Sequence, residues 1–332
     1  MFSGMKKLSS ILLLGVLSVL FAEVFSGAST LWFFDSWGLL LVYPLYLGHA
    51  VFFLNLAVLW KKTTPRQLYF FGMLFGLYEA LITKVLWFGY PNSTGPMVGY
   101  FSGVAWGEFL TLVLFYHPVM SFLVPVFVYE LLSGDMLPGH ERFLQKNYKT
   151  LLLVILLIVM GASFQSNGAN YELLRSVGSM GGSLLIVAVL HFVSRGKSLQ
   201  SLILGKKEMT VLLIYLIILY SVTTAMIFPE RLPHMILPYM LIFLWYLVTL
   251  SLLWVDRFTP MNIPQQRTIF SHRELGIFSF LAIGATAICS SVPPITYTFL
   301  VTMFVSLMAA GVILFTWSVF SLLKQRFSPA SP

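Results

Sequence analysis

Leu151-Leu152-Leu153-Val154-Ile155-Leu156-Leu157-Ile158-Val159 decides the fold class. A run of aliphatic residues this long has no polar alternation, so it is not a strand of a transmembrane barrel, whose side chains alternate between lipid and lumen. It fits a helix that satisfies its own backbone inside lipid. Similar runs recur along the 332 residues, of which 58% are apolar and 10% charged. A soluble domain carries roughly 25% charged residues. The fold class is therefore all-α: a polytopic membrane protein with about ten transmembrane helices.

A crossing takes about 20 apolar residues. The runs place spans at 9–25, 38–60, 68–89, 105–132, 150–165, 178–194, 209–228, 235–255, 274–291 and 297–320. Positive charge orients them, because lysine and arginine gather in cytoplasmic loops. Lys6 and Lys7 precede the first span, and Lys61, Lys62 and Arg66 follow the second. Arg142, Lys146 and Lys149 follow the fourth, and Arg195, Lys197, Lys206 and Lys207 the sixth. Arg257, Arg267 and Arg273 follow the eighth, and Lys324 and Arg326 the tenth. The intervening loops hold only Arg175 and Arg231. Alternate loops are basic, as an even number of spans requires, and both the N-terminus and the C-terminus are expected in the cytoplasm. The expected location is the cell membrane, in the prokaryotic plasma membrane.

The formal net charge of +8 follows from this asymmetry. Its expected partners are the lipid bilayer and anionic lipid headgroups at the cytoplasmic face, not nucleic acid, for which no aromatic-basic module is present. Protein partners are not indicated. Cys289 is the only cysteine, so neither an internal disulfide nor a multi-thiolate metal site forms. Lys6-Lys7 and the following apolar stretch have the form of a signal peptide, with Gly27-Ala28-Ser29 as a cleavage region. Glu23 inside the run and the lack of an A-x-A site favour a retained helix. Asn92-Ser93-Thr94 is a glycosylation sequon in a loop assigned to the outside.

Ionisable residues are concentrated in the first four spans: Glu23, His49, Glu79, Lys84, Glu108, His117 and Glu130. This divides the chain into a four-helix half with the polar cluster (1–133), a cytoplasmic linker loop (134–149) and an apolar six-helix half (150–332). No inverted repeat relates the halves. A charge at mid-membrane costs about 2.5–3.5 kcal/mol on insertion scales, so these groups must face protein or a wet cavity. Gly72, Gly76, Glu79 and Thr83 share one helical stripe, and Gly72-x-x-x-Gly76 is a close-packing pattern. Glu79 is thus expected in a tight helix contact. Lys84 is about 140° around the helix from it, which makes Glu23 or Glu108 its expected partner. His117 precedes Pro118, and Pro125 follows. Both prolines open backbone bonds, for which Ser121 is a candidate donor. Glu130 sits at the cytoplasmic boundary, apart from the cluster.

Carboxylates and imidazoles supply acid–base hydrolysis or metal ligation. The catalytic candidates are Glu79, His117, Glu108 and Lys84. His117, Glu79 and His49 are candidate ligands for a divalent metal such as zinc. The other reading of the same residues is buried pairs that fix helix packing. No H-E-x-x-H, G-x-S-x-G or phosphate-binding loop occurs, and no soluble cofactor is indicated.

Phe21-Ala22-Glu23-Val24-Phe25-Ser26-Gly27, Tyr78-Glu79-Ala80-Leu81-Ile82-Thr83-Lys84, and Tyr116-His117-Pro118 through Pro125 to Glu130 resemble blocks of uncharacterised prokaryotic, archaeal-type multi-pass membrane proteins. That group is in turn faintly similar to the CAAX-protease and bacteriocin-processing intramembrane peptidases. The resemblance implies that Glu79 takes the place of the first glutamate of a paired motif and His117 that of a motif histidine. Ala80 stands where the second glutamate belongs, and Lys84 where the motif has arginine. The leading expectation is an intramembrane hydrolase with Glu79 as base or metal partner, capped by the loop from Tyr90 to Gly103. A proton-coupled or small-solute transporter and a non-catalytic membrane scaffold or complex subunit are the alternatives.

Overall fold

The computed structural model describes residues 2–90, 95–145, 147–194, 198–259 and 271–327. The sequon Asn92-Ser93-Thr94 and the basic residues Lys146, Arg195, Lys197 and Arg267 lie outside them. Helix α1 (Phe2–Val19) runs on into a π-helical turn (Leu20–Val24), and a second π turn (Gly38–Val42) leads into α2 (Tyr43–Leu59). A capping box opens α3 (Pro65–Gly76): Thr64 Oγ1 accepts from the Gln67 amide, and Gln67 Oε1 accepts from the Thr64 amide. This satisfies two donors that a helix start leaves orphaned.

The third pass then departs from a simple helix. It tightens into a 3-10 turn (Leu77–Ala80), breaks at 81–83 and ends as α4 (Val85–Phe88). Lys84 sits in the left-handed region at the break, φ 59°. A short hairpin pairs β1 (Tyr100–Phe101) with β2 (Val104–Ala105), Tyr100 opposite Ala105. The fourth pass is α5 (Trp106–Thr111), a π-helical stretch (Leu112–Leu123) and α6 (Val124–Ser133). Six helices follow: α7 (Tyr148–Gly168), α8 (Leu173–Val193), α9 (Lys206–Met226), α10 (Leu237–Val255), α11 (His272–Ser291) and α12 (Pro293–Phe327).

Nine helices among the described residues are long and apolar enough to cross a membrane. The broken third pass also runs between the two ends. It starts where Arg66 meets Asp256 at the end of α10 and finishes where Lys84 meets the last turn of α9. Alternate loops collect at opposite ends. The basic end joins Lys7 to Glu208 (2.8 Å) and Tyr129 to Ser201 (3.1 Å). The far end joins Leu31 N to Ser179 Oγ (3.1 Å) and Ser166 Oγ to Thr286 O (3.2 Å).

The two sides of the 134–149 loop are not separate bodies: α1 packs on α8, α2 on α9 and α3 on α10. They differ in what they face. In the most apolar 18-residue stretch of the fourth pass 72% of the residues are buried, against 11% in that of α12, so the later helices leave most of their surface to lipid. The densest core lies inside the early passes, where Phe70, Phe71, Phe75, Phe109 and Phe122 are fully buried.

The third and fourth passes meet through the glycine stripe. A Cβ on Gly72 would stand 2.5 Å from Pro118 Cα, and one on Gly76 3.1 Å from His117 Cβ. At Gly72 a Cβ would force the Pro118 backbone to shift, and at Gly76 the neighbour would have to give by a few tenths of an ångström. Pro118 and Pro125 of the fourth pass lack the amide hydrogen that helical bonding uses, and hydroxyls from other helices donate to a carbonyl in the turn before each. Tyr69 Oη donates to Leu114 O at 2.7 Å, and Ser18 Oγ to Ser121 O at 2.6 Å. Ser121 was the expected donor. Its carbonyl is instead an acceptor, from Ser18, and its hydroxyl faces His117 Nδ1.

Candidate functional site

The close contact at Gly72 and Gly76 brings Glu79 beside His117. Glu79 Oε1 stands 3.0 Å from His117 Nε2, and both residues are buried. Thr83 Oγ1 holds the other carboxylate oxygen, Oε2. On the far edge of the imidazole, Nδ1 is 2.8 Å from Ser121 Oγ. The ring is walled by Tyr78 edge-on (5.0 Å), Phe75 (5.7 Å) and Tyr46 (6.3 Å).

A second group leads from this pair toward the far end. Tyr78 Oη and Tyr46 Oη are 3.0 Å apart, and Tyr46 donates to Glu23 Oε1 at 2.6 Å. Ser29, in the loop beyond α1, donates to Glu23 Oε2 at 2.5 Å. Glu23 is partly exposed. The sequence marked Glu23, Glu79 and His117. It did not mark Tyr46 or Tyr78, since aromatic residues are abundant in these spans and nothing in a linear pattern separates a hydrogen-bonded tyrosine from a packing one.

The remaining expected residues stand elsewhere. His49 Nδ1 donates to Leu45 O at 2.8 Å, and its Nε2 lies 3.0 Å from Tyr220 Oη. Phe75 packs on both imidazoles, 4.7 Å from His49 and 5.7 Å from His117. Glu108 Oε1 accepts the Met97 amide at 2.6 Å, so it anchors the 95–105 loop. Lys84 reaches neither Glu23 nor Glu108. Its ammonium donates to the carbonyls of Thr223 (2.9 Å), Thr224 (3.0 Å) and Ile227 (2.5 Å), where α9 ends. A helix leaves its last carbonyls unpaired and favours a cation there, which accounts for this partner.

The metal reading does not fit the donors. Both nitrogens of His49 are engaged, Glu79 and His117 are bonded to each other, and among the described residues no three of His, Cys, Asp or Glu stand close enough to hold an ion. Zinc needs such a set of three or four protein ligands.

A second buried carboxylate–imidazole pair occupies the basic end. Glu130 Oε2 is 2.8 Å from His140 Nδ1, and His140 Nε2 donates to Thr63 O at 2.8 Å. Glu130 Oε1 accepts the Leu137 amide at 2.9 Å. The loop after the fourth pass is thereby tied to the start of the third. Nearby, Lys62 is buried and donates to Asp256 O. Desolvation pulls its ammonium below the ordinary lysine range, and the Asp256 charge pushes it back.

The family model of an uncharacterised membrane protein family matches residues 12–328, and the chain belongs to that family. An uncharacterised protein of Archaeoglobus fulgidus is 37% identical over 153 residues, covering 43% of this chain and 46% of the relative. The chain therefore spans about half the length of that relative. No solved structure matches the chain.

Proposed function

We propose that this member of the family is a proton-coupled carrier whose proton site is the Glu79–His117 pair. The supporting observation is the series Ser29–Glu23–Tyr46–Tyr78 running from the far end to the wall of that pair, with hydrogen-bonded steps of 2.5, 2.6 and 3.0 Å. Ser29, Tyr46 and Tyr78 each carry an exchangeable proton, and Glu23 accepts from the first two. The pair also accepts a proton without losing a hydrogen bond. With neutral His117, Nε2–H points at Glu79 and Ser121 donates to Nδ1. With the imidazolium, Nδ1–H points at Ser121 Oγ after its hydroxyl rotates. Ionisable groups at membrane depth, placed where helices break, are a carrier's usual site construction. Here the third pass breaks beside Glu79, and the π stretch carries His117.

The hydrolase reading has one point of contact. Ser121, His117 and Glu79 follow the order nucleophile, base, carboxylate. Ser121 is fully buried and lies one turn from His117 on the same pass, so a substrate carbonyl has no approach to it. The charge asymmetry supports a cytoplasmic basic end, in a protein proposed to reside in the plasma membrane.

The test is a pH jump on proteoliposomes adsorbed to a solid support. Proton binding at membrane depth gives a transient capacitive current without any transported solute. The wild type is expected to give it and Glu79→Gln to lose it, with both eluting as folded monodisperse protein. Equal currents from the two would overturn the proposal.

A further inference from the structure

Between the third and fourth passes the chain carries no charged residue from 95 to 107. It forms the β1–β2 hairpin there, at the far end. The inner strand is buried, with Val104 and Ala105 packed toward α4. The outer strand stands clear of the protein. Tyr100 is 60% exposed and Phe101 73%, and Met97 and Val98 just before them are exposed as well. Successive strand residues point to opposite faces, so the outer strand is uncovered on both.

The segment is nonetheless held in place. Glu108 Oε1 accepts the Met97 amide at 2.6 Å. The carbonyls of Val98 and Gly99 accept the amides of Gly107 (2.8 Å) and Trp106 (2.9 Å), and Trp106 Nε1 donates to Phe101 O at 3.2 Å. Polar backbone groups are thus engaged within the protein, as contact with lipid demands, and the apolar side chains are left outside.

Gly103 fixes the depth. A Cβ there would run into the ring of Pro238, so the turn of the hairpin lies against the first turn of α10. Helix α10 has 19 residues, which is about 28 Å at the helical rise and close to a hydrocarbon core of about 30 Å. Its first turn therefore stands at the far boundary of that core. Ile236, Leu237 and Met240, at the same level, are exposed in the same way.

We infer that the outer strand of this hairpin inserts into the far leaflet of the bilayer, with Tyr100 and Phe101 at the boundary between headgroups and acyl chains. The contact with Pro238 makes the hairpin a continuation of the lipid-facing surface of α10. A tyrosine favours that level, where its ring meets acyl chains and its hydroxyl meets water. In water the same side chains would form an exposed apolar patch. Because β2 packs on α4, the hairpin also anchors the depth at which the broken third pass ends. The inference does not rest on the carrier reading of the Glu79–His117 pair.

Spin labels on the full chain in phosphatidylcholine–phosphatidylglycerol vesicles test it. Single cysteines are placed by Phe101→Cys or Tyr100→Cys in a Cys289→Ser background. Ile236→Cys serves as a lipid-facing reference, and Glu172→Cys, at an exposed charged residue of the same end, as a water-facing one. Power saturation then compares collisions with oxygen, which concentrates in lipid, and with a nickel chelate confined to water. At position 101 oxygen collisions are expected to exceed nickel collisions several-fold, as at 236 and opposite to 172. If Phe101→Cys does not fold, Tyr100→Cys carries the same expectation. Nickel collisions dominating in a folded sample would place the hairpin in water and overturn the inference. Shielding from both reagents would overturn it too, by making the strand a contact with protein.

Discussion

The Lys84 ammonium stands 2.9 Å from the Thr223 carbonyl and closes the end of a helix more than a hundred residues away in the chain. It joins the polar early passes to the lipid-facing later ones. Lysine holds the position despite a left-handed backbone, φ 59°, which disfavours any residue with a Cβ. The gain is in the side chain.

Lys84→Met removes those hydrogen bonds and takes the side-chain donor from the carbonyls of Thr224 and Ile227, while Thr223 O keeps the Ile227 amide at 2.9 Å. Hydrogen bonds to a charged donor contribute about 1.5–3 kcal/mol. The expected outcome is a loss of stability of that order in detergent unfolding, with faster amide exchange confined to the last turn of α9.

The glycine contact predicts an order of severity. A methyl on Gly72 meets Pro118 backbone at 2.5 Å, and on Gly76 its closest neighbour is a side-chain carbon at 3.1 Å. Overpacking costs about 1–3 kcal/mol. Gly72→Ala is expected to lower the unfolding midpoint more than Gly76→Ala. Both should also reduce the pH-jump current, because the same contact sets the Glu79–His117 distance.

Arg66 holds Asp256 through two bonds, Nε to Oδ2 at 3.0 Å and Nη2 to Oδ1 at 2.7 Å. Asp256 is nearly fully buried. Removing one partner of a buried pair costs about 3–5 kcal/mol. Arg66→Ala is expected in that range, and Arg66→Lys is expected to recover only part, since lysine lacks the planar fork. Arg66→Ala combined with Asp256→Asn should cost less than the sum of the two, as a double-mutant cycle in thermal unfolding would show.

The Glu130–His140 pair carries a single proton between its two facing atoms. Thr63 O only accepts, so His140 Nε2 must bear a hydrogen. His140→Ala leaves the Glu130 carboxylate buried without its partner. It is expected to destabilise by about 3 kcal/mol or more and to expose the 134–145 loop to protease. Glu130→Gln combined with His140→Ala should recover part of the loss.

Much of this was legible in the residues. Unbroken aliphatic runs announced lipid as the solvent, and the loop charges matched an even number of crossings. The stripe through Gly72 and Gly76 pointed to the contact that places Glu79. The third pass was harder to read. Its break at 81–83 depends on Lys84 reaching α9, a partner that sequence spacing does not reveal. For the same reason Lys84 and Glu108 read as site residues, although one caps a helix and the other anchors a loop. His140 lay in a polar linker, where nothing local distinguishes a buried histidine from an exposed one. His49 was a reasonable metal candidate by type, but its position beside Leu45 O and Tyr220 occupies both nitrogens.

The central claim is that Glu79 and His117 exchange a proton reached from the far end through Tyr78, Tyr46 and Glu23. Infrared difference spectroscopy of the reconstituted protein between acidic and neutral pH observes that exchange directly. The account predicts bands from the titrating carboxyl–imidazole pair in the wild type, absent from Glu79→Gln, and a shifted midpoint or slower exchange in Tyr46→Phe. Bands unchanged by Glu79→Gln in a folded sample would contradict it and leave the pair as a fixed link between the third and fourth passes.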